Sequence, residues 1–259
     1  MTLSVGVLIL SCDKYADLWP GFFHCFKRHF PVKDWPIYLG SNWAKCEEPG
    51  VTTILSGDDI DWSTSYRKIL EQIPSKKIFV ILDDIYLASR IDEVRLTEMV
   101  SFVYQKDAKY MRYWANPLPD VPTENPWIGV CAKGAPYRST VCGIWDRDYL
   151  LRLLLDGESP WNFEIMGSYR TSYSDGFYSL TKPLCSYKNM VEKGKWIPAS
   201  VEWATANRVP LSVGARPMLT GGIHIKSLLQ MIIFNMIIQI PWRTRVSLMN
   251  QFRKLFISY

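Results

Sequence analysis

Three short apolar runs dominate the amino-terminal half of the chain: Val5 to Leu10, Pro36 to Leu39 and Lys77 to Leu82, with a fourth, Val51 to Leu55, close behind the second. Val5 to Leu10 and Lys77 to Leu82 read as strands buried on both faces rather than as half-exposed strands, which would alternate, and Pro36 to Leu39 and Val51 to Leu55 as two further short strands. Between them, Ala16 to Phe30 has the apolar spacing of an amphipathic helix, Asp61 or Ser63 is placed to cap a helix running to about Ile73, and a further helix is predicted from about Asp92 to Tyr104. Strands alternating with helices over the first hundred or so residues predict an α/β fold with parallel pairing and right-handed crossovers.

The pattern changes after Tyr113. The stretch Asn116 to Trp127 contains four prolines and reads as a loop lying over a site. Trp127 to Ala132 and Tyr137 to Trp145 read as two antiparallel strands joined by a Gly-containing turn, and Arg147 to Leu155 as a short helix. Ser159 followed by Pro160 has the form of a helix start, which carries Glu164 on the second turn. Leu228 to Ile240 is almost wholly apolar, and Pro241 stops it at a length too short to span a bilayer. Beyond it, Val246, Met249, Phe252 and Phe256 recur at helical spacing among Arg243, Arg245, Arg253 and Lys254. Two readings of this tail stand: an amphipathic attachment to an anionic membrane surface, or a pair of helices packed on the domain with solvated charges.

Composition narrows the class. At 259 residues the chain is long enough for one large α/β domain or one domain with a small appendage. Its six cysteines form no C-x-x-C pair, so neither zinc nor thiol redox chemistry is indicated and a reduced, cytoplasmic compartment is expected. Thr2 to Leu10 reads as a first strand and not as a signal peptide. The net charge of +5 is not gathered into a long basic run, which argues against a nucleic-acid partner and for anionic small molecules or a membrane surface. Eleven tryptophans and fourteen tyrosines supply core packing, stacking faces for sugars or interfacial anchors.

The chemistry centres on Asp83 and Asp84, which end the run Lys77 to Leu82. The carboxyl end of a parallel strand is where open α/β sheets bind ligands, although aspartates also end strands and cap turns for purely structural reasons. A hard divalent cation, Mn²⁺ or Mg²⁺, prefers carboxylate oxygen, tolerates imidazole and commonly bridges phosphates, so Asp84 and His224 form a candidate metal pair. His224 has an ordinary structural role as its alternative. Lys226, close behind it, is suited to neutralising a diphosphate.

Three pieces, Ser11-Cys12-Asp13-Lys14-Tyr15 with Leu18-Trp19, Leu82-Asp83-Asp84, and Tyr137 to Ser168 with its block Gly157-Glu158-Ser159-Pro160-Trp161-Asn162-Phe163-Glu164, resemble nucleotide-sugar-dependent glycosyltransferases of the GT-A fold, and more narrowly bacterial enzymes of surface-polysaccharide synthesis. The resemblance covers roughly residues 4 to 226. It implies a Rossmann-like, mostly parallel central sheet with a smaller antiparallel part, residues 1–113 forming a nucleotide-donor half and 114–226 an acceptor half; the tail, 227–259, lies outside the resemblance and is expected from its own residues to be helical and membrane-associating. It further implies that Asp84 binds the metal, Asp83 lies nearer the ribose or donor sugar, Asp13 addresses the nucleotide base, Lys14 assists at base or phosphates, and Arg67 faces the donor diphosphate, for which a solvated helix-surface arginine is the alternative. The usual metal motif has a residue between two aspartates; here Ile85 occupies the third place.

Glu164 matches the family's general base, which accepts the proton of the acceptor hydroxyl in an inverting transfer, with Trp161 and Phe163 to desolvate it and stack on a sugar. The competing assignment makes Glu158 or Asp146 the base and leaves Glu164 to bind the acceptor; in the favoured one Glu158 and Trp161 contact the acceptor. The expected activity is therefore a metal-dependent, inverting transfer of a sugar from a UDP-type donor to a lipid-linked or oligosaccharide acceptor, by an enzyme peripheral on the inner face of the cytoplasmic membrane. A retaining transferase on the same fold, and a glycan- or nucleotide-binding module without turnover, are the two alternatives.

Overall fold

The computed structural model describes residues 5–31, 34–134, 137–220 and 225–256. The alternating half consists of β1 (Gly6–Leu10), α1 (Trp19–His29), β2 (Ile37–Ser41), β3 (Val51–Leu55), α2 (Trp62–Glu71), β4 (Lys77–Leu82), β5 (Ile85–Leu87) and α3 (Glu93–Gln105). There follow β6 (Tyr110–Arg112), β7 (Val121–Pro122), β8 (Ile128–Val130), β9 (Gly143–Asp146) and α4 (Arg147–Leu153). Next come the single turn α5 (Pro160–Asn162), a π turn (Phe163–Gly167) and the single turn α6 (Ser168–Arg170). The chain then adds β10 (Phe177–Leu180), β11 (Tyr187–Asn189), α7 (Pro198–Ala206), α8 (Ile225–Gln239) and α9 (Trp242–Phe256).

The expected α/β architecture is present as a nine-stranded sheet in the order β3-β2-β1-β4-β9-β6-β10-β8-β7. The strands β3, β2, β1 and β4 pair in parallel. Beyond β4 the sheet is mixed, with β9 antiparallel to both β4 and β6, and β10 parallel to β6. The strands β1 and β4 are buried on both faces, as their unbroken apolar runs require. Val7, Ile9, Phe79 and Ile81 pack in one cluster with Phe22 and Phe26 of α1 and Met99 and Val103 of α3. Leu8, Leu10, Ile78 and Val80 pack in another with Tyr66, Ile69 and Leu70 of α2 and Leu150 of α4. Helix α1 presses closely on β5: a Cβ at Gly21 would lie 2.6 Å from the Tyr86 hydroxyl, which itself donates to Leu18 O at 2.7 Å.

Capping explains the helix starts. Asp61, not Ser63, caps α2 through the Thr64 N–H, and Asp92 caps α3 through that of Arg95. One expectation fails. The stretch Tyr137 to Trp145 does not form a hairpin with Trp127 to Ala132: only its end is strand, β9 lies between β4 and β6, and β8 pairs with β10 and β7. The preceding residues form an irregular strap because side chains satisfy its backbone in place of a neighbouring strand. Arg112 donates to Tyr137 O at 2.7 Å, and the Ser168 hydroxyl bridges Ser139 N and Ser139 O, each at 3.1 Å. Helix α4 also stops before Leu155, where Arg67 takes the carbonyls of Leu151 and Leu154.

Among the described residues no helix is long and apolar enough to cross a membrane. Helix α9 packs on the domain through Arg245, which is buried and paired with Asp120, and through Val246, which lies against Gly134. Helix α8 leaves Leu229, Ile232, Ile233 and Met236 exposed.

Asp146 does structural work at the amino-terminal end of β4. It pairs with Lys77 in the sheet register, receives the buried Lys77 Nζ at 3.1 Å and caps α4 through the Tyr149 N–H at 2.9 Å. Asp146→Ala is therefore expected to lower unfolding free energy by about 3 kcal/mol in urea titrations, since it uncaps a helix and removes a partner from a buried ammonium. Asp146→Asn, which keeps the cap, is expected to lose less.

Candidate active site

The carboxyl ends of three parallel strands converge at one edge of the sheet. Leu10 of β1 is in register with Gly40 of β2 and Leu82 of β4, so the segments that follow, from Ser11, Ser41 and Asp83, leave the sheet side by side. This is the crevice in which open α/β sheets place ligands.

Asp13 braces that edge. Its carboxylate accepts the backbone N–H groups of Asn42, Trp43 and Ala44 at 2.9 to 3.1 Å, which ties the loop after β1 to the loop after β2. Burial pushes the Asp13 carboxyl up, but these donors outweigh it and hold the group below the usual carboxylate range. Lys14 is exposed beside it, with Nζ 3.2 Å from Asp59.

Asp83 and Asp84 form the turn that carries the chain out of β4 and into β5. Asp83 is only 5% exposed; its carboxylate accepts the Ser11 hydroxyl, and Ser11 Oγ in turn accepts the Trp19 indole N–H at 2.8 Å. Burial, then the neighbouring Asp84, pushes the Asp83 carboxyl well above its ordinary value. Asp84 is held through its carbonyl, which accepts Met190 N–H at 2.8 Å. Its Oδ1 is buried and has no hydrogen-bond partner among the described residues. Burial raises the Asp84 carboxyl to about 6. An unpaired, buried carboxylate oxygen beside a second acid is a donor set that suits a hard divalent cation, whose charge would offset the desolvation. Among the described residues no group of three or more His, Cys, Asp or Glu side chains is gathered to hold a metal ion. His224 lies outside the described residues, and Lys226 stands in the first turn of α8 with its side chain likewise outside them.

Glu164 comes from the turns that follow α4. Its Oε1 accepts the Val141 N–H at 3.0 Å, and Val141 lies just ahead of β9, whose Gly143 pairs with Val80. β9 runs antiparallel to β4, so the residues just ahead of it lie toward the end of β4 that carries the aspartate turn. The buried Cys142 thiol, pushed up to about 12 chiefly by burial, also feels the charges of both Glu164 and Asp84. Burial raises the Glu164 carboxyl, opposed by the Val141 N–H and by the charge of Arg112. Glu164 sits on a π turn, a local widening that re-aims side chains and recurs at functional sites.

The rival carboxylates are engaged elsewhere. Glu158 makes a two-pronged ion pair with Arg170, both contacts at 2.7 Å, and Asp146 is at the far end of β4, about 20 Å of strand away from Asp83. Arg67 is equally occupied, donating to Leu151 O, Leu154 O and Asp156. Trp161 is 64% exposed, and Ile165, Met166 and Tyr169 are exposed along the same turns.

Arg216 was not legible as part of this site. It forms an ion pair with Asp17, with contacts of 2.6 and 2.8 Å, stacks 4.2 Å over the Tyr15 ring, and is the cation whose charge lowers both Asp83 and Asp84. It stands in an irregular segment with no periodicity to mark it. Only the fold brings it back across 199 residues to Asp17.

Comparison with protein-family models and with curated proteins finds no match. Among solved structures the chain has a loose likeness to S. aureus TarS, at 9% identity over 69% of this chain and 36% of that one, with a TM-score of 0.43. S. aureus TarS 1–349 in complex with UDP gives 8% identity, coverage of 68% and 60%, and a TM-score of 0.42. The same protein in complex with UDP-GlcNAc gives 11% identity, coverage of 68% and 58%, and a TM-score of 0.45. The chain thus spans less than two thirds of the length of each, and likeness of this degree bears on neither activity nor ligand.

The acid pair has a thermodynamic signature. A carboxyl whose value rises on folding binds its proton more tightly in the native state, so stability falls as pH rises through the window from about 4 to about 6. In the presence of a chelator, Asp84→Asn is expected to raise stability at pH 7 by on the order of 2 kcal/mol, an advantage that shrinks on acidification through that window, as followed by denaturant titration at several pH values.

Proposed function

We propose that the chain is a metal-dependent, inverting glycosyltransferase that moves a sugar from a UDP-type donor to a lipid-linked or glycan acceptor in surface-polysaccharide synthesis. The observation that carries this reading is the hydrogen bond from Val141 N–H to Glu164. It ties a partly buried carboxylate to the strap that enters β9 alongside β4, the strand that ends in Asp83 and Asp84, which supports reading the two as a base and a leaving-group site that flank a reacting carbon.

In the proposed reaction Glu164 takes the proton of the acceptor hydroxyl as its oxygen attacks the anomeric carbon. The bond from that carbon to the diphosphate oxygen breaks, and the nucleoside diphosphate departs with the electron pair. Asp84 and His224 would hold Mn²⁺ or Mg²⁺, which when bound supplies positive charge for the departing diphosphate. Asp83, oriented by Ser11, faces the ribose or donor sugar, and Asp13 and Lys14 line the base side of the crevice. Arg216 adds positive field at the acid pair, a role in donor binding expected of Arg67, whose donors are taken by α4; Lys226 completes the cationic side.

The exposed Trp161, Ile165, Met166 and Tyr169 beside Glu164 suit an acceptor that presents both a sugar face and apolar surface. Residues 227–259 contain no acidic residue and include Arg243, Arg253 and Lys254 besides Arg245, which is paired with Asp120, and α8 exposes apolar side chains. That combination favours peripheral attachment to an anionic membrane surface on the cytoplasmic side, where a lipid-linked acceptor is presented.

Purified Asp84→Ala and Glu164→Gln are expected to fold and to lose transfer by a factor of about 10² or more in a product assay with candidate UDP-sugars and Mn²⁺. Transfer retained by either variant removes its residue from the mechanism. A product whose anomeric configuration matches the donor's replaces the inverting mechanism with a retaining one.

A further inference from the structure

Arg112, on β6, is 2% exposed, and its hydrogen bonds run to Ser179 Oγ at 3.2 Å, Tyr137 O at 2.7 Å and Cys131 Sγ at 3.4 Å. All three acceptors are neutral. A fully buried guanidinium with no carboxylate hydrogen-bond partner among the described residues is costly. Its charge reaches Glu164, whose carboxyl it favours in the ionised form. Arg112 holds the start of that strap at Tyr137 O, and Val141 at its far end donates to Glu164. Tyr110, also on β6, fastens the middle, its hydroxyl lying 2.7 Å from Thr140 Oγ1 and accepting Thr140 N–H at 3.2 Å.

We propose that Arg112 is a positioning residue for the proposed base: it clamps the strap from Tyr137 to Val141, which holds Glu164 through the Val141 N–H, and sets a buried positive charge within reach of that carboxylate. The inference rests on reading Glu164 as the base. Among the described residues, Glu164 interacts electrostatically with Arg112 from β6, Tyr137 from the strap and Cys142 at the entry to β9. Burial raises both the Tyr137 hydroxyl and the Cys142 thiol, so both are neutral near pH 7 and Arg112 is the charged member of the set.

A nearby cation favours the carboxylate form, so its removal shifts proton release to higher pH, and a base works only above that point. The test is the pH dependence of kcat/KM. Arg112→Gln keeps an amide donor for Tyr137 O but no charge, and is expected to move the acid limb up by about one unit, a tenfold loss on the acid side. Arg112→Lys keeps the charge and is expected to leave the limb in place. A residue that only braces the strap would lower activity equally at every pH, so an unmoved limb in active Arg112→Gln overturns the inference, as does a limb moved equally by Lys and Gln. If Arg112→Gln does not fold, infrared titration of the wild-type protein, with the Glu164 band assigned by difference from Glu164→Gln, decides: ionisation at pH 7 supports the proposal and a protonated carboxyl overturns it. Loss of transfer in Glu164→Gln with an unmoved limb in Arg112→Gln defeats this inference alone, whereas transfer retained by Glu164→Gln defeats the base assignment beneath it.

Discussion

A carboxylate at the end of a strand buried on both faces has little water to stabilise its charge, and this chain places two of them there in succession. The cost is real because β4 lies between β1 and β9 with apolar clusters above and below it. Asp83 recovers part of that cost through Ser11 and the Trp19 indole, whereas Asp84 leaves one oxygen with no donor among the described residues. The geometry around the pair follows from that constraint. The loops after β1 and β2 are drawn together by Asp13, and Arg216 is brought from a distant segment to put positive charge nearby. Stability is given up at this edge, and such local loss is the usual companion of a binding site.

The other half of the proposed site is built from an irregular strap rather than from a strand. Between Tyr137 and Cys142 the chain makes its hydrogen bonds to side chains of Tyr110, Arg112, Glu164 and Ser168. Each of those side chains has its own place in β6 or in the turns from Phe163 to Arg170, so the strap links the middle of the sheet to the π turn. Its entry into β9 antiparallel to β4 brings Val141 to the end where Asp83 and Asp84 stand. The same antiparallel entry carries Asp146 to the opposite end, beside Lys77. Thus one strand direction separates a carboxylate suited to chemistry from one suited to holding the fold.

Much of the alternating half was legible because its signals are local. The runs at β1 and β4 are short and continuous, the mark of buried strands, and Asp61 and Asp92 cap their helices through N–H groups only three residues away. The Asp83–Asp84 turn was legible for the same reason, as a polar break at the end of an apolar run. The strap was misread because Val141 to Trp145 carries β-forming residues, while the groups that divert its backbone, Arg112 and Ser168, come from distant parts of the chain. The short strands β6 and β10 went unmarked: three or four residues do not establish a period, and they are strands only because neighbours pair with them.

By itself, then, the sequence determined the α/β class, the strand that ends in two acids and the helix caps, since each depends on contacts within a few residues. It also carried the motifs that single out Asp84 and Glu164. Only the tertiary structure decided that Glu158 is paired with Arg170, that Arg67 holds the end of α4, that the charge of Arg216 acts on the acid pair, and that Arg112 holds the strap tied to Glu164. The reason is physical: a charged side chain takes its role from the charges and donors that surround it, and sheet register assembles those surroundings from segments far apart in the chain.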